Sequence, residues 1–256
     1  MLLFEKPSTR TRVSFQVGIS QLGGNGLLLR SEELQLARGE SVKDTALVLS
    51  RYVDAIVGRV GEHQLIEELA RHAEVPVVNA LTPLHHPCQA LADLLTLRER
   101  FGRLEGLRVA YVGDGNNVCH SLMLLGARAG VEVVAATPAE LRPDDAIVAA
   151  AGDLASVVQD PAEAAAGAYA LYTDVWVSMG YESDSARRRE LLEPYRLDAG
   201  LLAKARDDAI VLHCLPAHPG EEITEDLLYG ERSAVWDQAE NRLHAQKALL
   251  ELLVEG

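Results

Sequence analysis

Short apolar runs alternate along the chain with segments in which apolar residues recur at helical spacing. The runs are rich in branched residues and end in polar loops, a pattern typical of buried strands in parallel sheets. The intervening segments carry apolar side chains three and four residues apart, as at Leu65, Ile66 and Leu69. Nine strands are predicted, at residues 2–4, 26–29, 55–57, 75–78, 107–112, 131–135, 168–172, 210–212 and 234–236.

Strands that alternate with helices predict an α/β fold of mostly parallel sheets with helices on both faces. Nine strands are many for one sheet in 256 residues, and the polar stretch 101–106 is a plausible boundary. We therefore expect two doubly wound parallel-sheet domains, residues 1–100 and 101–240, with the helix 241–256 completing the first. Ligands of such sheets bind beyond the carboxyl ends of the strands, so the active site is expected in the cleft between the domains.

Composition narrows the classes of partner. The net charge is −14 and there is no long basic run, so nucleic acid and membranes are not expected partners. Cys88, Cys119 and Cys214 lack the spacing of a zinc site or a disulfide framework, which favours a reduced, cytoplasmic setting and no metal. No apolar run approaches the roughly 20 residues that span a bilayer, and no signal peptide is expected.

The strongest local pattern is the run of hydroxyls and guanidiniums at Ser8, Thr9, Arg10, Thr11 and Arg12. It comes directly after a predicted strand and before an amphipathic helix. The first N–H groups of a helix have no internal partners, and the helix dipole favours negative charge there. We therefore predict an anion site. The alternative is a polar helix start with a capping serine.

Other strand ends carry further polar groups. Arg59 follows the strand at 55–57, and the loop after 75–78 leads to His86 and Gln89 around Pro87. Proline favours the first helical turn, so His86 and Gln89 are expected on one face at a helix start, where they can hydrogen-bond a carbonyl or an amide. A structural histidine is the alternative.

The sequence Gly-Asp-Gly-Asn-Asn at 113–117 invites comparison with the dinucleotide fingerprint. That fingerprint requires a third glycine, where Val118 stands, and an acidic residue after the next strand, where Thr137 stands. Nicotinamide binding is therefore not expected. Asn116 and Asn117 are instead suited to bind the backbone groups of an amino acid.

Two later strand ends carry further candidate side chains, and the first of them offers a carboxylate to an amine. Asp174 provides a carboxylate after the strand at 168–172, although a helix cap is the alternative. Cys214 follows the strand at 210–212 and is open to three interpretations: a nucleophile, a metal ligand or a small lining group. Free cysteines are most often simply buried.

Seven motifs then carry a resemblance. They are Phe-Glu-Lys-Pro-Ser-Thr-Arg-Thr-Arg at 4–12, Gly-Glu-Ser-Val-Lys-Asp-Thr-Ala at 39–46, His-Pro-Cys-Gln at 86–89, Gly-Asp-Gly-Asn-Asn at 113–117, Asp-Val-Trp-Val-Ser-Met-Gly at 174–180, His-Cys-Leu-Pro at 213–216 and Ala-Glu-Asn-Arg at 239–242. Over essentially its whole length the chain resembles the aspartate/ornithine carbamoyltransferase family. The Ser-Met-Gly and His-Cys-Leu-Pro motifs point to its ornithine branch.

The resemblance implies transfer of a carbamoyl group from carbamoyl phosphate to L-ornithine, without metal or cofactor. It implies that residues 1–100 bind carbamoyl phosphate and residues 101–240 bind ornithine. Its implied carbamoyl phosphate ligands are Ser8, Thr9, Arg10, Thr11, Gln35, Arg59, His86, Gln89, Cys214, Leu215 and Arg242. Its implied ornithine ligands are Asn117, Asp174, Ser178 and Met179. The catalytic group is expected to comprise Arg10, Arg59, His86, Asp174, Cys214 and Arg242.

The resemblance also implies a homotrimer or higher homo-oligomer with shared active sites, in which Gln35 reaches a neighbouring subunit. Family members normally have a substantial segment before the phosphate motif, so the first domain is expected to be amino-terminally incomplete. Two alternatives stay open. One is a carbamoyltransferase with another acceptor, namely putrescine, acetylornithine or aspartate. The other is an inactive truncated relative that acts as a binding or scaffold protein.

Overall fold

The computed structural model describes residues 1–6, 8–30, 33, 39–177 and 182–255. The contacts between residues divide the chain into two compact units. The first unit comprises Met1–Cys88 and Arg242–Gly256, and the second comprises Gln89–Asn241.

The first unit contains a parallel sheet of four strands in the order β2-β1-β3-β4. Its elements are β1 (Leu2–Phe4), α1 (Thr9–Gln21), β2 (Leu28–Arg30), α2 (Val42–Leu49), β3 (Ile56–Arg59), α3 (His63–His72) and β4 (Val77–Leu81). Leu2 pairs with Leu28 on one side and Val57 on the other, so β1 is central. Leu250, from the last helix of the chain, packs in the same core as Leu2 and Phe15.

The second unit contains a parallel sheet of five strands in the order β7-β6-β5-β8-β9. Its elements are α4 (Pro87–Phe101), β5 (Arg108–Val112), α5 (Asn117–Arg128), β6 (Glu132–Ala136), α6 (Asp145–Ala151), β7 (Ala155–Val158), α7 (Pro161–Ala165), β8 (Ala170–Thr173), α8 (Ser185–Leu192), α9 (Ala199–Leu202), β9 (Ile210–His213), α10 (Glu225–Leu228) and α11 (Val235–Glu255). Two of these helices cross the division between the units, because α4 begins before Cys88 and α11 continues past Asn241.

Successive side chains of β5 face two different cores, as the period of a strand requires. Val109 and Tyr111 lie in the core that Leu122 of α5 joins, whereas Ala110 and Val112 lie in the core that Leu192 of α8 joins. Helices therefore cover both faces of this sheet. The prediction of two parallel-sheet α/β domains is confirmed.

Eight of the predicted strands are present, and the ninth is wrong. Residues 234–236 do not form a strand: the pairing with β9 is limited to a single bridge between Val211 and Ser233, and α11 starts two residues later. The sequence analysis missed β7, which is half-exposed at the edge of the sheet.

Helix α4 groups with the second sheet because Leu94 and Leu97 pack in the core that contains Tyr111. The contacts therefore divide the chain at Cys88, earlier than the predicted boundary at residue 100, and they group residues 242–256 with the first unit. None of the described helices combines the length and the apolar character needed to cross a membrane.

Candidate active site

The predicted anion site of the first unit, residues 8–12, lies at the start of α1. Ser8 is the N-cap residue, with φ −158° and ψ 110°, and its hydroxyl accepts a hydrogen bond from the Thr11 N–H at 3.3 Å. The first turn of α1 carries no acidic residue. Thr9 and Arg10 are exposed beside this positive helix end. Ser8 thus acts as the capping serine of the alternative interpretation, while its neighbours keep the polar groups that an anion requires.

Arg59 lies beside the strand that leads into this motif. In the parallel register Phe4 pairs with Arg59, so the ends of β1 and β3 are adjacent. The Arg59 side chain is buried, and its Nε has no hydrogen-bond partner among the described residues. The pKa of Arg59 is lowered to about 10, mainly by burial and in addition by the nearby charges of Arg242 and Arg10. A buried guanidinium with cationic neighbours is suited to bind an anion.

His86 is buried within the same group of cations. Burial lowers its pKa well below the usual value, and Arg242, Arg59 and Arg10 act in the same direction. The imidazole is therefore neutral at pH 7, with one ring nitrogen that donates and one that accepts. A neutral imidazole can polarise a carbonyl by donating a hydrogen bond from its ring N–H.

Arg242 comes from α11 and is also buried. Its Nε and Nη2 donate to Gln246 Oε1 at 3.1 and 2.9 Å, and its Nη2 lies 3.5 Å from Thr11 Oγ1. Gln246 in turn donates from Nε2 to Ser14 Oγ at 2.7 Å. Side chains of α1 and α11 therefore hold the third guanidinium in place.

Gln89 lies in the first turn of α4 and is fully buried. Its Nε2 donates to Asp93 Oδ1 at 2.8 Å. The start of α4 thus provides both residues that the sequence analysis selected there, His86 just before the helix and Gln89 inside it. Asp93 was not among the predicted residues, although its position four residues after an amide on a helix is a recognisable signal.

The second unit brings Asn116 and Asp174 together. Asn116 caps α5, and its Oδ1 accepts from the N–H groups of Val118 and Cys119 at 2.9 and 3.3 Å. Its Nδ2 donates to Asp174 Oδ2 at 2.7 Å. Asn117, the predicted ligand, is the half-buried first residue of α5. Asn116 therefore contacts the Asp174 carboxylate directly.

Cys214 lies beside Asp174 because β8 and β9 are neighbours in the sheet. Thr173 pairs with His213, so the next residue of each strand reaches the same edge. Cys214 Sγ donates to Asp174 Oδ1 at 2.8 Å, and the Val175 N–H donates to the same oxygen at 2.8 Å. Residues 174–177 are not helical, so Asp174 is not a helix cap. The result is a buried carboxylate that is surrounded by neutral donors.

His213 supports the backbone after Cys214. The Leu215 N–H donates to His213 Nδ1 at 2.8 Å, so Nε2 carries the ring proton and donates to Glu222 Oε1 at 3.1 Å. Leu215 has φ 59°, in the left-handed region, and is followed by a cis bond to Pro216. Ligand atoms of Asp174, His213 and Cys214 lie within 4.8 Å of one another. Both ring nitrogens of His213 are engaged, which does not favour a metal.

The glycines at 113–117 have a packing role. A Cβ atom on Gly115 would lie 2.2 Å from the Pro143 nitrogen, and Gly113 has φ 135°. Asp114, between them, accepts from Arg188 Nη1 at 2.7 Å in a buried ion pair. The sequence analysis did not find this ion pair. The predicted site residues Gln35, Ser178 and Met179 lie outside the described residues.

Two family models match the chain in succession. The carbamoyl-P binding domain of aspartate/ornithine carbamoyltransferase matches residues 1–99, and the Asp/Orn binding domain of the same family matches residues 105–253. The chain belongs to the aspartate/ornithine carbamoyltransferase family. Arg10, Arg59 and His86 lie in the first match, and Asp174 and Cys214 lie in the second.

Relatives within the carbamoyltransferase family cover the chain along its full length. It is 57% identical to the ornithine carbamoyltransferase of Methanoculleus marisnigri over 258 residues, which is 100% of this chain and 84% of that protein. It is 58% identical to the ornithine carbamoyltransferase of Acidothermus cellulolyticus, with the same two shares. The solved ornithine carbamoyltransferase of Pyrococcus furiosus matches with a TM-score of 0.96 and 50% identity, over 100% of this chain and 84% of that one.

Proposed function

We propose that this chain is a transferase that moves the carbamoyl group of carbamoyl phosphate to the side-chain amine of L-ornithine, giving L-citrulline and phosphate. The observation that carries the choice of acceptor is Asp174. Its buried carboxylate attracts an amine and repels the carboxylate side chain of aspartate, the other acceptor in the family's name. Relatives more than half identical over the chain bear the name ornithine carbamoyltransferase.

Carbamoyl phosphate is a dianion near neutral pH, and the first unit provides most of its proposed binding groups. The start of α1 binds the phosphate through backbone N–H groups, hydroxyls and a guanidinium. Arg59 and Arg242 add two buried positive charges. The proposed ligands of carbamoyl phosphate are Ser8, Thr9, Arg10, Thr11, Gln35, Arg59, His86, Gln89, Cys214, Leu215 and Arg242.

The carbonyl oxygen of the carbamoyl group gains negative charge as the amine attacks. His86 and Arg59 supply donors to this oxygen, and these interactions strengthen in the tetrahedral transition state. Because His86 is neutral, it polarises the carbonyl as a hydrogen-bond donor rather than as a cation. Gln89 binds the amino group of the carbamoyl moiety.

Ornithine's side-chain amine has a pKa of about 10 in water, so only its minor neutral form is nucleophilic. Asp174 and Cys214 orient this amine. The nitrogen–carbon bond forms, the bond from carbon to the phosphate oxygen breaks, and the departing phosphate takes the proton. Holding both substrates in position supplies much of the rate. The proposed ornithine ligands are Asn117, Asp174, Ser178 and Met179.

The proposed assembly is a homotrimer or a higher homo-oligomer with shared active sites, located in the cytoplasm, and the proposed reaction belongs to arginine metabolism. Exposed apolar side chains of the first unit support self-association. Val13 and Val17 lie one turn apart on α1 with 51% and 40% of their surface exposed, and Tyr52 is 76% exposed.

The phosphate site is tested with two arginines of the same helix. Arg10→Ala should lower kcat/KM for citrulline formation by about 100-fold or more, because it removes a charged donor to the transferring group. Arg12→Ala is the matched control, since Arg12 is exposed on α1 and its Nε donates to Gln16 Oε1 at 3.2 Å. Equal activity in both variants would refute the role of Arg10.

The acceptor is tested by supplying L-ornithine, putrescine, N-acetylornithine and L-aspartate side by side, with carbamoyl phosphate at saturation. We expect product from ornithine, and Asp174→Asn should raise the KM for it. Asp207→Asn, at an exposed position, is the control. A preference for any other acceptor contradicts the assignment, and no product from any of them supports the scaffold alternative.

A further inference from the structure

A chain of buried hydrogen bonds connects Gln89 to the strand end that carries Cys214. Gln89 Nε2 and Gln238 Nε2 both donate to Asp93 Oδ1, at 2.8 and 2.7 Å. Gln238 Oε1 accepts from the His213 N–H at 2.8 Å. All four residues belong to the second unit, and each is at most 1% exposed.

The direction of every hydrogen bond in this series follows from the backbone N–H of His213 at one end. A backbone N–H can only donate, so the group of Gln238 that faces His213 must be the amide oxygen. The Gln238 NH₂ therefore faces Asp93. Asp93 Oδ1 must accept, and a second group that approaches the same oxygen must also be a donor. The NH₂ of Gln89 consequently faces Asp93, and its amide oxygen is directed away.

This order matters because an amide side chain can bind in two orientations. The two faces of a glutamine amide have nearly the same shape but opposite hydrogen-bond character. An oxygen accepts from the amino group of a ligand, whereas an NH₂ in that place would repel it. The shape of Gln89 does not select between the two orientations, whereas a fixed acceptor such as Asp93 does.

We propose that Asp93 is a positioning residue that fixes the orientation of the Gln89 amide, so that its oxygen and not its NH₂ faces the amino group of a ligand and the enzyme distinguishes carbamoyl phosphate from acetyl phosphate. The two donors have the same shape and differ by NH₂ against CH₃. This inference rests on the proposed function, since Gln89 is the residue assigned to that amino group. Sites built around a hydrogen bond reject analogues that lack it, because a buried polar group is then left unsatisfied.

Two stable phosphonates test the proposal. Phosphonoacetamide keeps the amide, and acetonylphosphonate carries a methyl group in place of the NH₂. Calorimetric titration of each gives a ratio of dissociation constants that reports recognition of the amino group alone. The unaltered chain should bind the amide ligand about tenfold or more tightly.

Substitutions at Asp93 should change this ratio in a graded way. Asp93→Leu removes the acceptor and should bring the ratio close to one, whereas Asp93→Asn retains an acceptor oxygen and should preserve it. Asp93→Ser, whose hydroxyl both donates and accepts, serves if the leucine variant does not fold. Gln89→Met should also abolish the ratio, and the double variant Asp93→Leu with Gln89→Met should be no worse than Gln89→Met alone.

A purely structural role of Asp93 would weaken both phosphonates equally and leave the ratio unchanged, and that result overturns the proposal. Additive effects in the double variant also overturn it, because Asp93 would then act independently of Gln89. The unaltered chain separates this failure from that of the proposed function. If the unaltered chain binds neither phosphonate, or shows no preference, the assignment of carbamoyl phosphate fails and the role of Asp93 falls with it.

Discussion

His86 combines burial with three positive neighbours, and both effects remove its proton. Its folded-state pKa lies below the value of about 6.5 that the unfolded chain has. Below that pH the unfolded chain therefore binds one more proton than the folded chain, and the free energy of unfolding falls as pH falls. One such group contributes a slope of up to about 1.4 kcal/mol per pH unit.

His86→Gln should accordingly remove part of the acid sensitivity. Urea unfolding of the variant and the unaltered chain between about pH 5 and pH 7 measures this slope directly. His244→Gln, an identical change at an exposed position of α11, is the control. If His86→Gln leaves the slope unchanged, folding does not lower the pKa of His86.

Residues at strand ends were predictable because parallel register brings them to one edge. Arg59 is the last residue of β3, and Asp174 and Cys214 directly follow β8 and β9. The pairs Phe4 with Arg59 and Thr173 with His213 place these residues where the rule requires. Asp93 and Gln238 were not predictable in the same way. They lie on α4 and α11, 145 residues apart, and only the packing of these helices shows their contact.

The turn from β5 into α5 shows how one close approach shapes an element. A Cβ atom on Gly115 would meet backbone atoms of the next segment, with the Arg142 carbonyl carbon at 2.6 Å and the Pro143 nitrogen at 2.2 Å. Backbone cannot rotate away as a side chain can. Gly115→Ala must therefore displace this turn, which also carries the capping Asn116.

Gly115→Ala should lower the free energy of unfolding by about 1–3 kcal/mol, typical of overpacking, and raise the KM for ornithine. Gly26→Ala is the matched control, because its Cβ would meet nothing closer than 3.4 Å. Urea unfolding and citrulline assays on both variants provide the measurements. Full stability and an unchanged KM in Gly115→Ala would show that the turn yields without cost.

Sequence patterns located the central strands of the sheets better than the edge strand β7. Branched apolar runs predicted the central strands. The edge strand β7 escaped because it is short and none of its four residues is buried, so its composition does not resemble a core strand. The run at 234–236 was predicted as a strand because its three residues are apolar. Val235 is buried, but its neighbour Trp236 is 50% exposed and stacks on Tyr229.

The whole molecule is expected to be an assembly. Sedimentation equilibrium should give three times the 27.7 kDa mass of the chain, or a multiple of that trimer. The apolar surface of the first unit supplies a driving force that does not depend on charge, so the mass should persist in high salt. A monomer at all concentrations would contradict the proposed shared sites.

The division into two α/β halves followed from counting strands, since nine exceed what one sheet in a chain of this length usually holds. The place of division did not follow from the sequence. Polarity pointed to residues 101–106, whereas the packing of Leu94 and Leu97 assigns α4 to the second sheet. The unit to which such a helix belongs can be assigned only from its contacts.

The thiol of Cys214 has a practical consequence. Cys88 and Cys119 are fully buried, and burial raises the pKa of Cys88 to about 11 and that of Cys119 further. Cys214 is only partly buried and lies against Asp174. A fluorophore that reacts with thiols should therefore attach at one place in the folded chain. Slower labelling of Cys214 in the presence of L-ornithine would then report binding of the acceptor through the fluorescence of the label.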